Sequence, residues 1–216
     1  INLSQDSLKL GGSSFAQILN KIGDEVPTIK DDKKFADAFY NLQGLIKNGM
    51  IAAGHDVASG GLITTLLEMC FADQDLGANI DLSALGESDL VKLLFNENSS
   101  VVFQATDDTA EKVLADNGIE FFKIGEVSET ATLTINNNAE TLNLDIAELR
   151  DIWYKSSFLL DQKQSGKEKA AERYENYKNQ PLSYKFPANF TGKLPEIDQN
   201  KPKIKAAIIR EKGSNS

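Results

Sequence analysis

The residues best suited to chemistry lie in one stretch, residues 53–62, which reads AGHDVASGGL. It holds the only histidine of the chain, His55, followed by Asp56, and Gly60-Gly61 lie just before its last residue. A carboxylate such as that of Asp56 can hold a magnesium ion whose other ligands are water and phosphate oxygens. Glycines allow close backbone approach, and a helix N-terminus offers free N–H donors to phosphate. The stretch therefore predicts a place for a metal and a phosphate.

The flanking residues predict the elements that would position this stretch. Residues 50–53 are an apolar run, and residues 62–71 carry apolar side chains at helical spacing. A short strand, a Ser-Gly-Gly turn and a helix start are the expected local structure. The local pattern alone favours an alternative without any ligand, because short glycine-rich turns are common and unspecific. In that alternative Asp56 or Ser59 caps the helix, and the glycines only turn the chain.

Composition narrows the classes of partner. The 216 residues are 41% hydrophobic and 25% charged, which is typical of a globular protein with a real core. The net charge of −9 argues against nucleic acid or an anionic membrane as the main partner, because both attract basic surfaces. One glycine-rich turn with a metal can still bind phosphate locally.

Cysteine usage and the chain start bear on location. The single cysteine, Cys70, allows no internal disulfide, so we expect a reducing cytoplasm and an inert, buried thiol. No segment has the length of apolar sequence that a membrane span needs, and no signal peptide is visible. The chain begins with Ile1 instead of methionine, so we expect it to be the interior of a longer protein.

The order of strand and helix patterns predicts the fold class. Residues 1–10 alternate like a strand with a turn at Ser4-Gln5-Asp6. Gly11-Gly12 precede a predicted helix with Phe15, Ile18, Leu19 and Ile22. Further helices are expected at residues 35–47, 62–71, 87–94 and from 107 to 117, and further strands at 78–82, 101–105, 121–127, 130–135 and 142–144. Alternating elements with short antiparallel pairs near the end indicate an α/β (α+β) domain, a layered mixed sheet with helices, followed by a C-terminal helical linker.

The character of the sequence changes near residue 150. We expect residues 1–150 to form one domain. Residues 151–200 should form a linker of helices and a proline-containing segment, with helices over 146–160 and 167–178. Residues 204–209 read as the first strand of a further domain, so residues 201–216 are interpreted as its beginning.

Four segments, in this order, resemble one family. They read LKLGGSSFAQ, GHDVASGGLITTLLEMCFA, LLFNENSSVVFQ and RDIWYKSSFLLDQKQSGKEKAAERYENYKNQPL. The chain is similar to the large, fused form of the phosphoribosylformylglycinamidine synthase family (formylglycinamide ribonucleotide amidotransferase). The resemblance implies the second C-terminal-type domain of the aminoimidazole ribonucleotide synthetase superfamily, followed by the start of a glutaminase domain.

The resemblance also implies a function. In this family ATP activates the formyl amide oxygen of formylglycinamide ribonucleotide, and glutamine-derived ammonia displaces phosphate to give the amidine in purine biosynthesis. Mg²⁺ and ATP are the implied cofactors, and the remaining domains of the same polypeptide are the implied partners. The family's glutaminase needs a cysteine nucleophile and a histidine base. Cys70 and His55 lie outside that segment, so we expect no glutaminase here. The resemblance also implies a nucleotide site shared with an N-terminal-type half, so we expect no independent synthetase activity.

The family pattern His-Asp-x-Ser-Asp-Gly-Gly-Leu transfers only in part to this chain. Asp56 matches the magnesium ligand. Ala58 stands at the serine that touches ATP and lacks the hydroxyl, while Ser59 replaces the following aspartate. The resemblance thus implies a metal site at Asp56 and ATP contacts at Ala58, Ser59, Gly60 and Gly61, with backbone atoms of Ala58 or the hydroxyl of Ser59 in place of the lost group. No catalytic residue is assigned.

Three other classes stay open. The chain could be a scaffold half that holds a structural nucleotide, a kinase-type member of the superfamily, or a plain interaction module. The helix with Trp153 and the linker after it speak against the kinase types. His55 could be a catalytic base, although orienting Asp56 or filling the core is the simpler expectation. Glu97 could face the cleft or lie in an exposed turn, and Trp153 and Phe158 are expected in a core below the C-terminal helices.

Overall fold

The computed structural model describes residues 1–73, 75–179, 184–192 and 207. The chain divides into two units, Ile1–Glu175 and Asn176–Ser216, so the division falls far from residue 100. The described part contains seven α-helices and six strands. The helices are α1 Ser14–Ile18, α2 Asp32–Lys47, α3 Gly61–Cys70, α4 Leu90–Phe95, α5 Thr109–Asp116, α6 Ile146–Gln164 and α7 Lys167–Asn176. The strands are β1 Ile51–Val57, β2 Gly77–Asp81, β3 Ser100–Ala105, β4 Gly125–Ser128, β5 Thr132–Asn137 and β6 Glu140–Asp145.

The strands form two sheets. A four-stranded sheet has the order β4-β2-β5-β6, in which β2 and β5 are parallel and the other two pairs are antiparallel. The predicted mixed sheet and the α/β class are therefore confirmed. A separate two-stranded sheet pairs β1 with β3 antiparallel, with Asp56 opposite Val101. The sequence did not predict that β1 would leave the main sheet.

Two hydrophobic clusters hold the first unit together. The larger lies between the mixed sheet and the helices α3 and α4, and its fully buried members include Leu82, Leu93, Leu133 and Ile135. Alternate residues of β5 point into it, as expected for a strand with one covered face. The smaller cluster joins Leu45 of α2 to α5 beside the two-stranded sheet. The two clusters place β1 and the start of α3 at their junction.

Residues 1–10 do not form the predicted strand. Only Asn2 makes an isolated bridge, to Ser100. Asn2 Oδ1 accepts from Ser4 N at 3.0 Å, and Asp6 Oδ1 accepts from Ser7 N at 2.9 Å. Short polar side chains thereby satisfy the backbone donors that a strand would pair with a neighbour. The alternation of apolar residues was misleading, because it does not show that side-chain oxygens compete with a neighbouring strand for these backbone donors.

The helix predicted after Gly11-Gly12 is shorter than expected. Ser13 caps α1 by accepting from Ala16 N, but the helix ends at Ile18, and Asn20 has a left-handed φ of 54°. Asparagine tolerates that conformation better than most residues and stops a helix there. Ile22 therefore lies outside α1 and is exposed, contrary to the prediction.

Most other elements match their predictions within a few residues. Asp31 caps α2 through a bond from Lys34 N, an arrangement worth about 1 kcal/mol. Asp89 caps α4 and so delays its start to Leu90. Gly118 takes the expected left-handed conformation after α5. The strand predicted from residue 121 begins only at Gly125.

The C-terminal helices are longer or shorter than predicted by a few residues. The predicted proline-containing linker (residues 181–202) and the predicted strand at 204–209 lie largely outside the described residues, which include only 184–192 and 207 of them. The domain boundaries at residues 150 and 200 stay predictions. None of the described helices combines the length and the apolar character that a membrane span requires.

Candidate functional site

The turn between β1 and α3 requires glycine at both positions. Gly60 and Gly61 have φ values of 93° and 76°, in the left-handed region. A Cβ on Gly61 would lie 2.6 Å from the carbonyl oxygen of Leu94 and 2.8 Å from that of Asn96. The turn thus lies directly against the backbone at the end of α4 and at Asn96, the residue after it. The predicted strand, glycine turn and helix are confirmed.

No side chain caps α3. Gly60 is the N-cap residue, and neither Asp56 nor Ser59 accepts a hydrogen bond from the first turn. The capping alternative is therefore wrong, because the N-cap residue is a glycine, which has no side chain to accept the bond. What remains at this helix start is a set of backbone amides.

The Asp56 side chain emerges at the end of β1 and is 76% exposed. Its backbone oxygen accepts from the Thr65 hydroxyl at 3.0 Å and faces His55 Nδ1 at 2.7 Å. The other ring nitrogen, Nε2, lies 3.0 Å from Glu68 Oε2. Both nitrogens of His55 thus face oxygen acceptors of the protein, which favours an orienting role for His55 over that of a general base.

Glu68 links the site to the helix α6. Its Oε1 accepts from the indole nitrogen of Trp153 at 2.7 Å, across 85 residues of sequence. Trp153 also packs on Phe71, with ring centroids 5.4 Å apart. Because Trp153 is 49% exposed, the prediction that it fills a core is wrong. Phe158 stacks on Tyr174 at 4.5 Å and is half-buried.

The Trp153–Glu68 contact should be measurable in a double-mutant cycle. Trp153→Phe keeps a ring but loses the N–H, and Glu68→Ala loses the acceptor, so we expect a coupling of about 1 kcal/mol in urea unfolding. Far-UV circular dichroism is the readout, because Trp153 is the only tryptophan. Leu159→Ala, an exposed position on the same helix, should be additive with Glu68→Ala. Additivity of the Trp153 pair would contradict the assigned contact.

Glu97 joins two glycine turns at one oxygen atom. Its Oε1 accepts from Gly60 N at 2.8 Å and from Ser14 N, also at 2.8 Å. The two donors lie 37 and 83 residues from Glu97 in sequence. The sequence left open whether Glu97 faces the cleft or lies in an exposed turn. In the structure Glu97 is half-buried and bonded to two backbone amides. A lone acid between two asparagines after a buried helix was the available signal.

The neighbours of Glu97 fix the surrounding segment. Phe95 stacks on Phe15 of α1 with centroids 4.6 Å apart. Asn96 is buried and donates to the carbonyls of Lys92 and Leu93 at the end of α4. Asn98, fully buried, donates to Ser7 O at 3.0 Å and holds the N-terminal segment. The polar stretch after α4 is therefore an internal hub of the fold.

The four predicted ATP-binding positions differ in what they offer. Ala58 and Ser59 are exposed, so the Ser59 hydroxyl and the backbone of both are accessible. The Gly60 amide donates to Glu97, and the Gly61 amide donates to Ala58 O at 3.0 Å. Within the described part of the chain, no acceptor takes the amides of Leu62 or Ile63, the next two donors of α3.

Cys70 behaves as predicted for a structural thiol. It lies at the end of α3 against the larger hydrophobic cluster, and burial raises the pKa of its thiol. A raised pKa leaves less thiolate at neutral pH, so this cysteine is a poor nucleophile.

Among the described residues, no three histidine, cysteine, aspartate or glutamate side chains come together as a metal cage. Asp56 is the exposed acid at the end of β1. Mg²⁺ is commonly held by one or two carboxylates with waters and substrate phosphates. The side chains present therefore fit a shared magnesium site and do not fit a self-contained one.

The family is decided by comparison with known proteins. The family described as "AIR synthase related protein, C-terminal domain" matches residues 3–136. The chain belongs to this family. The match covers both glycine turns, Asp56 and Glu97, whereas α6 with Trp153 lies beyond it.

Longer relatives of this AIR synthase related domain match the whole chain. "Phosphoribosylformylglycinamidine synthase" from Homo sapiens is 31% identical over 223 residues, which is 100% of this chain and 16% of the relative. "Probable phosphoribosylformylglycinamidine synthase, chloroplastic/mitochondrial" from Arabidopsis thaliana is 33% identical over 226 residues, again 100% of this chain and 16% of the relative. The chain thus spans about a sixth of the length of these relatives. The similarity predicted from four segments is confirmed.

Part of the chain is similar to solved structures of a bacterial protein. Thermotoga maritima PurL complexed with ATP gives a TM-score of 0.48 at 14% identity, covering 56% of this chain and 22% of that one. The same protein complexed with FGAR gives a TM-score of 0.46 at 18% identity, covering 59% and 23%.

Proposed function

We propose that the chain is one part of a phosphoribosylformylglycinamidine synthase and supplies one side of a cleft for Mg²⁺ and ATP. The proposal rests chiefly on the relatives of that name, which match the chain over its whole length. As an ATP-dependent ligase of purine biosynthesis, the complete enzyme would convert formylglycinamide ribonucleotide and glutamine-derived ammonia into the amidine.

Asp56 is the proposed metal-binding residue. Its carboxylate is exposed beside the N-terminus of α3, where backbone amides favour an anion. Mg²⁺, when bound, would neutralise negative charge on the phosphates. The role of this chain is then to hold the cation with Asp56 and to orient that acid through the bonds at His55 and Thr65.

The proposed ATP contacts are Ala58, Ser59, Gly60 and Gly61. Ala58 would act through its backbone, and the exposed hydroxyl of Ser59 would donate to a phosphate oxygen. Because the glycine amides already donate within the protein, the glycines would contribute close approach instead of hydrogen bonds. The amides of Leu62 and Ile63 would donate to phosphate in their place.

The remaining domains of a longer polypeptide are the proposed partners. A chain that spans 16% of its relatives would need them for the other side of the cleft and for the glutaminase. Consecutive exposed small residues, 52–54 on β1, would allow such a domain to pack closely. The net charge of −9 supports neither nucleic acid nor membrane as partner, and the single cysteine supports the cytoplasm.

A second candidate is a half that holds a structural nucleotide or acts as scaffold. It is favoured by the missing hydroxyl at Ala58 and by the capture of the Gly60 amide by Glu97. Both features would leave fewer hydrogen-bond donors to stabilise the charge that develops on the phosphates during a reaction.

Asp56→Asn in the intact polypeptide tests the proposal. It should raise the KM for Mg²⁺–ATP roughly tenfold, because it removes the charge that holds the cation. The fold should be unchanged, since the side chain is exposed and caps no helix. Initial rates over a grid of Mg²⁺ and ATP concentrations measure the effect.

Asp116→Asn, an exposed aspartate on α5, serves as the matched control and should leave the rates unchanged. Unaltered ATP and Mg²⁺ dependence in Asp56→Asn would exclude the active-cleft role. If that variant instead lost tightly bound nucleotide after purification, the structural-nucleotide role would be supported.

A further inference from the structure

Glu97 places a carboxylate on backbone donors that could otherwise receive a phosphate. Its Oε1 accepts from the amides of Gly60 and Ser14, each at 2.8 Å. One oxygen atom can accept from both amides only if it lies about 3 Å from each of them. The two turns are therefore tied to each other through one atom of one side chain.

Glu97 is held rigidly from both sides along the chain. The Phe95 ring stacks on Phe15, and the buried side chains of Asn96 and Asn98 are bonded to the backbone of α4 and of residues 6–7. A side chain between such fixed neighbours has little freedom to leave its position. The position of the Gly60 amide is consequently set by a rigid acceptor.

The same segment contacts the turn in two ways, through the Gly60–Glu97 hydrogen bond and through close packing. Gly61 lies against the carbonyl groups of Leu94 and Asn96 with no room for a Cβ. Gly60 is thus held by the Glu97 bond while Gly61 is held by steric contact. Asp56, four residues before Gly60 near the end of β1, has an exposed carboxylate whose Oδ1 lies 3.5 Å from His55 Nδ1. The turn is therefore held from one side by Glu97 and the end of α4, and from the other by Thr65 of α3, whose hydroxyl donates to Asp56 O and Gly61 O.

We propose that Glu97 is a positioning residue for nucleotide binding: it fixes the Gly60 turn against the Ser14 turn so that the exposed groups from Asp56 to Ser59 face the ligand correctly. This inference rests on the proposed function. Glu97 touches neither metal nor nucleotide in this role. It acts through the turn, and its length matters more than its charge.

Three substitutions separate length from charge. Glu97→Gln keeps the acceptor oxygen at the same reach and loses the charge, whereas Glu97→Asp keeps the charge and is shorter by one methylene. Glu97→Ala loses both. In the intact polypeptide we expect the KM for ATP to rise roughly tenfold in the Glu97→Ala and Glu97→Asp variants. In the Glu97→Gln variant it should rise less than about threefold, and kcat should be nearly unchanged in all three.

A geometric readout on the present chain is independent of any activity. In ¹H–¹⁵N spectra the amide signals of Gly60 and Ser14 should both shift in Ala and Asp, and should shift less in Gln. Glu140→Ala, which removes an exposed glutamate at the start of β6, is the control and should move neither signal nor the KM. If the alanine variant does not fold, the comparison of Gln with Asp still decides.

Each outcome bears on the proposal. If Glu97→Gln keeps the amide signals and the KM near those of the unchanged protein while Glu97→Asp alters both, the positioning role is supported. Rescue by Asp with loss in Gln would overturn it, because charge and not reach would then matter. Shifted amides with an unchanged KM, while Asp56→Asn still raises the KM, would overturn this inference and leave the proposed function standing. An unchanged KM in Asp56→Asn together with shifted amides would remove the proposed function itself.

Discussion

Gly61→Ala is expected to destabilise the first unit by about 3 kcal/mol or more, from two additive causes. The left-handed φ of 76° is unfavourable for alanine. In addition, the new Cβ would lie 2.6–2.8 Å from backbone atoms of residues 94–96, which are themselves anchored by buried asparagines. The strand-end geometry at Asp56 should be disturbed at the same time, because the turn cannot keep its place.

Gly118→Ala separates the two causes. Gly118 has a similar φ of 67°, but a Cβ there meets nothing within 4 Å. It should therefore show only the conformational penalty, about 1 kcal/mol. Urea unfolding followed by far-UV circular dichroism and Trp153 fluorescence measures both variants. Equal destabilisation in the two would mean that the contact of Gly61 with the segment after α4 is not tight.

Asn98→Asp is expected to give the second large loss of stability, although the two side chains have nearly the same size and shape. The fully buried amide Nδ2 donates to Ser7 O at 3.0 Å, and to Asp6 O and Ser4 Oγ at 3.3 Å each. A carboxylate would face these oxygens without a proton to offer. The loss should be about 3 kcal/mol or more, since a buried charge and unpaired acceptors arise together.

Asn98→Ala should cost about 2–3 kcal/mol, which is less, because it leaves unpaired groups and a cavity but no charge. Asn41→Ala removes an exposed amide bond to Asp37 O on α2 and should change stability by no more than about 0.5 kcal/mol. Hydrogen exchange should show faster exchange at Leu3 and Ser4, whose amides donate to Ser99 O, in the Asn98 variants only. Protection that persists there would contradict the role of Asn98.

The elements near the site were predictable because their signals are local. The apolar run before His55, the glycine pair and the helical spacing after it lie within about one helix length of each other, and they produced β1, the turn and α3 as expected. The helix α2 and the glycine stop after α5 likewise depend on neighbouring residues only. The mixed sheet followed from the order of the strands.

The functional assignment of Asp56 came from the resemblance and not from local physics. The pattern alone left Asp56 as metal ligand or helix cap, and the cap was excluded only when the structure showed Gly60 as the N-cap residue with no side-chain bond. The strand prediction for residues 1–10 was wrong for a related reason. Their alternation predicted a strand, but Asn2 and Asp6 bond to nearby backbone groups once the chain is folded back by Asn98.

The sequence by itself determined which residues form the strand, the glycine turn and the helices, since these depend on spacing, caps and backbone freedom within a few residues. Only the tertiary structure decided that Glu97 meets Gly60 and Ser14, and that Trp153 meets Glu68. These contacts join residues 37 to 85 positions apart. The physical reason is that such pairs depend on how whole elements pack, and periodicity within one element carries no information on its distant neighbour.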